Sequence, residues 1–228
     1  MVESRPSKPL VAGSSPVSRC SETDWRRIMR HCIASVLFML LACGPGEEQA
    51  KDDEIPQIAK SVLMVIAHED FRDDEFTASH DLFKKAGIAI TVASTDTTPA
   101  HGSLGMTVKP DIVFEEVVPD EYDAIVVIGG TGCEKLWDNK ELHNIVTAFH
   151  SESKTIAAIC LAPVVLGRAG ILKDMSATVY PTAQDDIGMC GGVYTGADVE
   201  VCSNIITCSG PQAAKDFATT VLSTLANE

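Results

Sequence analysis

The chain has 228 residues, enough for one domain with a sizeable core and an appendage, and it carries a formal net charge of -14. An acidic body with few clustered basic residues lacks the positive surface that a phosphate backbone requires, so nucleic acid is excluded as the main partner. The first 31 residues have the opposite sign of net charge, because they carry six Lys and Arg residues against three Asp and Glu residues.

An apolar segment near the N-terminus resembles a secretion signal. Residues 32–43 are uncharged and mostly apolar, and Arg26, Arg27 and Arg30 precede them. The segment is too short to span a bilayer comfortably, which takes roughly 20 residues, whereas a basic flank and a short apolar core are typical of a signal. The ending Leu40-Leu41-Ala42-Cys43 is similar to a bacterial lipobox, in which the cysteine is lipidated. A buried core helix or a signal anchor is the alternative.

These features divide the chain into three parts. We expect residues 1–28 to be an upstream extension, residues 29–43 a lipoprotein signal, and residues 44–60 a solvated, flexible tether with little to bury. Residues 61–228 form the predicted domain. The protein is then expected outside the cytoplasm, with a lipid at Cys43 as its one membrane contact, or in the cytoplasm if the leader is not a functional signal.

From residue 61 the sequence alternates between predicted strands and predicted helices. Apolar runs without polar interruption predict strands covered on both faces at residues 62–67, 88–93, 124–128 and 155–159. Amphipathic spacing and end signals predict helices at residues 73–85, 140–150, 161–169 and 211–226. Shorter peripheral strands are expected at residues 106–109 and 111–116.

This alternation predicts an α/β fold, a flavodoxin-like three-layer sandwich whose mostly parallel sheet has helices on both faces. A small β-hairpin is expected over residues 199–208, with its turn at Ser203-Asn204, where Asn tolerates a left-handed conformation. In such sheets the reactive site lies beyond the carboxyl ends of the strands. Residues that directly follow a buried strand are therefore candidates for function.

The predicted domain contains five of the eight cysteines: Cys133, Cys160, Cys190, Cys202 and Cys208. Five is an odd number, so at least one thiol stays unpaired, and the pairing among the four other than Cys160 is left open. In the predicted hairpin Cys202 faces Ile205 and Cys208 faces Val199, so a disulfide between these two cysteines is not expected. No pair has metal-ligand spacing with a histidine beside it, and no metal site is predicted.

Cys160 occupies the point where a buried strand passes into a helix. A sulfur at such a turn lies near a positive helix end, which lowers the thiol pKa and favours the thiolate. By residue type alone, a cysteine in Ala157-Ala-Ile-Cys160 fits a small buried hydrophobe. Its position, rather than its identity, indicates a nucleophile.

Several segments in chain order resemble the ThiJ/PfpI superfamily. Ala157-Ala-Ile-Cys-Leu-Ala-Pro163 is similar to its nucleophile elbow, and Phe71-Arg-Asp-Asp-Glu75 to the segment whose last glutamate approaches the sulfur. Gly129-Gly130 resembles the family's Gly-Gly turn, and Tyr180-Pro181 the Tyr-Pro of the protease-like branch. The resemblance covers residues 61–227 and implies the flavodoxin-like fold and a homodimer or larger homo-oligomer.

The resemblance also implies roles for individual residues. Cys160 is the expected nucleophile and Glu75 its neighbour, which keeps a proton because like charges at short range raise one pKa. The alternative for Glu75 is a solvated residue in the first turn of a helix. The amides of Gly130 and Leu161 are candidate oxyanion donors. The remaining pocket candidates are Gly129, Tyr180, for which packing is the alternative, and His68, for which a solvent-facing loop is the alternative.

Two departures from the family pattern bear on the activity. Leu161 stands where protease-like members carry His, so an amine leaving group would lack its general acid, and Tyr180 stands where deglycase-like members often carry His. The first hypothesis is a cofactor-free glyoxalase-like or deglycase-like lyase or hydrolase that acts on small reactive aldehydes or their adducts. The alternatives are an oxidation-responsive protective or chaperone-like protein with Cys160 as sulfinate, and a cysteine peptidase or amidase.

Overall fold

The computed structural model describes residues 57–228. The predicted leader, most of the predicted tether and the lipidation site at Cys43 lie outside this range and stay predictions. In the described part of the chain, no helix combines the length and the apolar character needed to cross a membrane.

A seven-stranded sheet forms the centre of the domain, and two smaller sheets flank it. The strands in chain order are β1 (Ser61–Val65), β2 (Glu69–Phe71), β3 (Ala89–Ser94), β4 (Ala100–Gly102), β5 (Thr107–Val108), β6 (Ile112–Val113), β7 (Ala124–Val127), β8 (Thr155–Ile159), β9 (Ser176–Ala177), β10 (Val193–Tyr194), β11 (Val199–Cys202) and β12 (Ile205–Cys208). The central sheet has the order β11-β12-β8-β7-β1-β3-β6, in which only β11 runs antiparallel to its neighbour.

The helices pack in two groups around this sheet. They are α1 (Asp73–Lys85), α2 (Lys140–Ser151), α3 (Pro163–Arg168), α4 (Gln184–Met189) and α5 (Ala214–Ala226). Helix α1 packs against α5, whereas α2 packs against α3 and α3 against α4. Every residue of β7 and β8 is buried, as expected for strands with helices on both faces. The predicted flavodoxin-like α/β class is thus confirmed.

The hairpin of β11 and β12 forms in the predicted register, with one difference at its turn. Cys202 pairs with Ile205 and Val199 with Cys208, and all five cysteines of the described domain are free. The left-handed residue is Ser203, with φ 57°, rather than Asn204. The Asn204 side chain instead donates a 2.7 Å hydrogen bond to the Lys154 carbonyl, so it ties the hairpin to the start of β8.

Lys60, near the start of the described range, and Glu228, its last residue, meet at one end of the central strands. Thr155, the first residue of β8, donates a 2.6 Å hydrogen bond to the carboxylate of Glu228. Lys60, which precedes β1, has its Nζ 4.0 Å from the other oxygen of that carboxylate. Both contacts lie at the amino ends of the parallel strands, whereas Cys160 follows the carboxyl end of β8.

Candidate active site

Cys160 sits on a sharp turn between β8 and α3. Its φ of 63° lies in the left-handed region, which costs a residue with a Cβ about 1–2 kcal/mol. Backbone bonds on both sides hold this conformation: Cys160 N donates to the Cys208 carbonyl at 2.9 Å, and Tyr180 N donates to the Cys160 carbonyl at 2.9 Å. The sulfur is therefore aimed by the turn itself, away from the strand that precedes it.

The Cys160 side chain reaches a cavity of about 420 Å³. Only 7% of the residue is exposed, but that part faces the cavity, so the thiol is not sealed in the core. The cavity is lined by Arg72, Ser103, Gly130, Thr131, Glu134, Cys160, Leu161, Tyr180, Thr182 and Pro211. No histidine is among these residues, in keeping with the departure noted at Leu161.

Glu75 lies beside the thiol, in the first turn of α1, and is fully buried. Its Oε2 accepts a 3.0 Å hydrogen bond from the Gly129 amide. Its Oε1 is buried without a conventional hydrogen-bond partner among the described residues, and the carboxyl interacts with the Cys160 thiol. The first turn of α1 thus delivers a carboxyl group to the sulfur rather than to solvent, as the resemblance implied.

The acid–base properties of the pair follow from its burial. Burial raises the Glu75 pKa from an ordinary 4.5 to about 7, while hydrogen bonds with Cys160 and the Gly129 amide oppose that rise. Burial, and then the charge of Glu75, also raise the Cys160 pKa. This contradicts the lowered thiol pKa predicted from the helix end, because desolvation outweighs the donors that favour the thiolate. Above pH 7 the pair retains one proton, which belongs to both groups.

Two backbone amides lie beside the sulfur. The N–H groups of Gly130 and Leu161 lower the Cys160 pKa, and they are the two donors proposed from the sequence. Gly130 adopts φ 100°, and a side chain there would meet the Asp70 carbonyl and the Arg72 amide. Such paired donors are suited to stabilise negative charge that develops next to the sulfur.

Of the two aromatic pocket candidates, Tyr180 and His68, one lines the cavity and the other does not. Tyr180 lines the cavity and is 38% exposed. His68 does not line it, so its placement in the pocket is wrong, and the loop position given as the alternative fits. The His68 ring lies 2.9 Å from Thr98 Oγ1 and lines a different cavity of about 110 Å³. The chain turns after His68 at Asp70, whose φ is 59°, and brings Arg72 to the cavity instead.

Sequence reasoning missed Arg72 and Ser103. Arg72 lies within the segment that resembles the family, but the local sequence did not mark it as a pocket residue. Its guanidinium donates hydrogen bonds of 2.7 and 3.3 Å to Asp74. Ser103 is brought to the cavity by a distant contact: the Asp73 carboxylate accepts the amides of Leu104 at 2.9 Å and Met106 at 2.6 Å. Within residues 57–228, no group of three or more His, Cys, Asp or Glu side chains is arranged to hold a metal ion.

A cysteine with a left-handed backbone at a strand-to-helix turn, beside a buried glutamate, defines the class of α/β proteins that carry a cysteine at a nucleophile elbow. Residues 60–224 match the DJ-1/PfpI family, and the chain belongs to that family. A crystal structure of a ThiJ/PfpI domain protein from Brachyspira murdochii has a TM-score of 0.73 and 31% identity, and the match covers 75% of this chain and 99% of that chain.

Curated relatives include proteins with named activities. An uncharacterised protein of Methanocaldococcus jannaschii is 42% identical over 164 residues, which are 71% of this chain and 80% of that protein. A deglycase of Pyrococcus abyssi is 34% identical over 149 residues, 65% of this chain and 90% of the deglycase. A glutathione-independent glyoxalase of Caenorhabditis elegans is 28% identical over 166 residues, 73% of this chain and 89% of the glyoxalase.

Proposed function

We propose that the protein is a cofactor-free enzyme in which Cys160 attacks small reactive dicarbonyl compounds such as methylglyoxal, or their adducts. The observation that carries this proposal is the buried Glu75 carboxyl beside a cavity-facing thiol whose pKa two neighbouring amides lower. The deglycase and glyoxalase activities named for relatives support it. A carbonyl carbon is the electrophile that such a thiol requires.

In the first step Cys160 Sγ forms a bond to the aldehyde carbon, and the carbonyl π electrons move to oxygen. The amides of Gly130 and Leu161 stabilise the resulting negative charge. The thiol proton passes to the Glu75 carboxyl, which returns it to the new oxygen. The product is a hemithioacetal, and no other acid is required because the pair already holds the proton.

In the second step the ionised Glu75 carboxyl removes the hydrogen from the former aldehyde carbon and returns a proton to the adjacent carbonyl carbon, while the hydroxyl proton moves from the first oxygen to the second. The hemithioacetal of methylglyoxal thereby becomes a thioester of lactate, with no net oxidation or reduction. Water then cleaves the carbon–sulfur bond, which releases lactate and restores the thiol. A carboxyl with a pKa of about 7 suits both proton transfers at neutral pH.

Peptide hydrolysis is a weaker candidate, because no histidine is present among the residues that line the cavity. An amine leaving group must be protonated, and the elbow carries Leu161 where an imidazole would be needed. The aldehyde reaction has no amine leaving group, so it does not meet this obstacle.

A second candidate is an oxidation-responsive role for Cys160. Within residues 57–228, Glu75 Oε1 has no conventional hydrogen-bond partner, and this favours such a role because an oxygen added to the sulfur would give that buried atom a partner. Mild peroxide followed by peptide mass spectrometry checks this role. Stable sulfinate at Cys160, with no thiol-dependent turnover of any aldehyde, would favour it over the enzyme.

The proposed enzyme is tested by lactate release from methylglyoxal. We expect Cys160→Ser to lower kcat by more than about 100-fold, since the hydroxyl is a far weaker nucleophile. Cys202→Ser is the matched control, because it removes another thiol, on the edge strand β11 at the amino ends of the parallel strands, and its activity should stay within about twofold of wild type. Equal activity of the wild type and Cys160→Ser would rule out the mechanism.

A further inference from the structure

The two amide donors of the site belong to separate segments of the chain. Gly130 begins a 3-10 helix, Thr131–Leu136, that follows β7. Leu161 follows Cys160 at the end of β8. The pairing of β7 with β8 joins these segments as far as Val127 and Ala158, so beyond that point their spacing around the sulfur depends on contacts between the 3-10 segment and the elbow.

Trp137 joins these two segments. It directly follows the 3-10 helix that begins after Gly130, and its indole Nε1 donates a 3.0 Å hydrogen bond to the Leu161 carbonyl. Among residues 57–228, this is the one side-chain hydrogen bond to the backbone of residues 160–162. The Cys160 N–H and carbonyl are already held by Cys208 and Tyr180, so the Leu161 carbonyl, one peptide beyond the Leu161 N–H, is the part of the elbow that a side chain holds.

The indole is itself held in place by charged neighbours. The Arg168 guanidinium, at the end of α3, lies 5.0 Å from the centre of the indole ring, where a cation is attracted by the ring face. Arg168 also pairs with Asp138 at 2.6 Å and with Asp186 at 3.6 Å. These contacts restrict the ring from the side of α3 and α4, and the hydrogen bond restricts its direction toward the elbow.

We propose that Trp137 is a positioning residue, which sets the spacing of the Gly130 and Leu161 amides around Cys160 by tying the 3-10 segment to the elbow. The kinetic part of this inference rests on the proposed function, whereas its effect on the reactivity of the sulfur does not. If the indole served packing alone, its loss would lower stability without altering the properties of the Cys160 thiol.

The test replaces Trp137 by Phe, which keeps an aromatic face for Arg168 and removes the N–H donor. Alkylation of Cys160 by iodoacetamide is followed by peptide mass spectrometry as a function of pH. We expect the midpoint to move to higher pH, because a less ordered Leu161 amide stabilises the thiolate less. The neighbouring charged and titratable groups Glu75, Arg72 and Cys133 are unchanged. For methylglyoxal, kcat should fall about three- to tenfold with KM within about twofold.

Two further variants make the result decisive. Tyr122→Phe is the matched control, since it removes one polar group from a buried aromatic residue before β7, at the amino end of the sheet, and should move neither readout. Arg168→Gln keeps the indole but removes the cation that restricts it. This variant should move the alkylation midpoint in the same direction by less. This variant also decides the matter should Trp137→Phe fail to fold.

A wild-type midpoint and kcat in both Trp137→Phe and Arg168→Gln would overturn the positioning role, as would equal effects of Trp137→Phe and Tyr122→Phe. Failure of the proposed function has a different signature. In that case no protein of the set turns over methylglyoxal, yet the shift of the alkylation midpoint still reports whether Trp137 positions the elbow.

Discussion

The Gly129 amide donates a 3.0 Å hydrogen bond to Glu75 Oε2, and the lack of a side chain at the same glycine leaves room for Cys160. A methyl group at residue 129 would lie 2.5 Å from Cys160 Cβ and 2.8 Å from Glu75 Oε2. The glycine therefore has two functions: it supplies a donor to the carboxyl, and it permits the carboxyl and the thiol to share one buried volume. Three predictions concern this arrangement.

Glu75→Gln should change how stability depends on pH. Because the Glu75 pKa is raised in the folded state to about 7, the native protein keeps a proton that the unfolded chain loses above pH 4.5. The resulting stabilisation is present below pH 4.5 and is lost as the pH rises to about 7. Relative to Glu75→Gln, the wild type should lose up to about 3 kcal/mol of unfolding free energy across that window, as measured by urea denaturation.

The control for this experiment is Glu141→Gln, which removes an exposed carboxyl from the first turn of α2. It should reproduce the pH dependence of the wild type. If instead the curves of wild type and Glu75→Gln run parallel from pH 4.5 to 8, then Glu75 does not hold its proton more tightly in the folded state.

Gly129→Ala should damage both folding and the reaction. The methyl group would press on Cys160 and Glu75 at less than van der Waals distance, and overpacking of this kind costs about 1–3 kcal/mol. Because the carboxyl and the thiol must separate, kcat for methylglyoxal should also fall at least about tenfold. Thermal unfolding and lactate release measure the two effects.

Gly188→Ala provides the comparison for this substitution. Gly188 lies in α4, and an added Cβ meets no other atom within 4 Å. Alanine is the better helix former, so this variant should be neutral or more stable by up to about 1 kcal/mol, with unchanged activity. A Gly129→Ala protein as active as Gly188→Ala would contradict the close approach of the pair.

Arg72→Gln and Asp74→Asn should move the pH profile of the reaction in opposite directions. The positive charge of Arg72 lowers the Glu75 pKa, and the negative charge of Asp74 raises it. If the ionised Glu75 accepts the proton, the acidic limb of kcat/KM for methylglyoxal should move to higher pH in Arg72→Gln and to lower pH in Asp74→Asn. At pH 6 the first variant should be less active than wild type and the second more active.

The direction of the two shifts is the diagnostic quantity, because either variant alone can change kcat/KM through substrate binding. Lys215→Gln, on α5 and absent from the cavity lining, should leave the midpoint where it is in wild type. If the acidic limb moves in the same direction in Arg72→Gln and in Asp74→Asn, a group other than Glu75 controls it.

Local pattern predicted the regular elements well, because their signals lie within the elements themselves. Helix α1 begins at Asp73 and ends at Lys85, and β8 covers Thr155–Ile159, both as predicted. Acidic residues in the first turn, cations in the last turn and an uninterrupted apolar run require no distant partner to be recognised. The same reasoning placed Cys160 on its turn, although it gave the wrong direction for the thiol pKa.

The parts that sequence did not predict depend on contacts between distant segments. Ser103 reaches the cavity because Asp73 binds the amides of Leu104 and Met106, about 30 positions away in the chain. The thiol pKa depends on how completely neighbouring segments exclude water, which no local pattern reports. His68 illustrates the converse, since its place after β1 made it a pocket candidate, whereas its ring lies against Thr98 and the turn at Asp70 brings Arg72 to the cavity instead.

Lys60, Thr155 and Glu228 meet at the amino ends of the strands, and this position determines where a label or a support can be attached to the domain. The five residues of β8 separate Thr155 from the nucleophile by about 17 Å, given a rise of about 3.3 Å per residue. A bead, a dye or a fusion partner attached at residue 228 would therefore leave the mouth of the cavity open. Protein immobilised through residue 228 should accept substrate as readily as free protein.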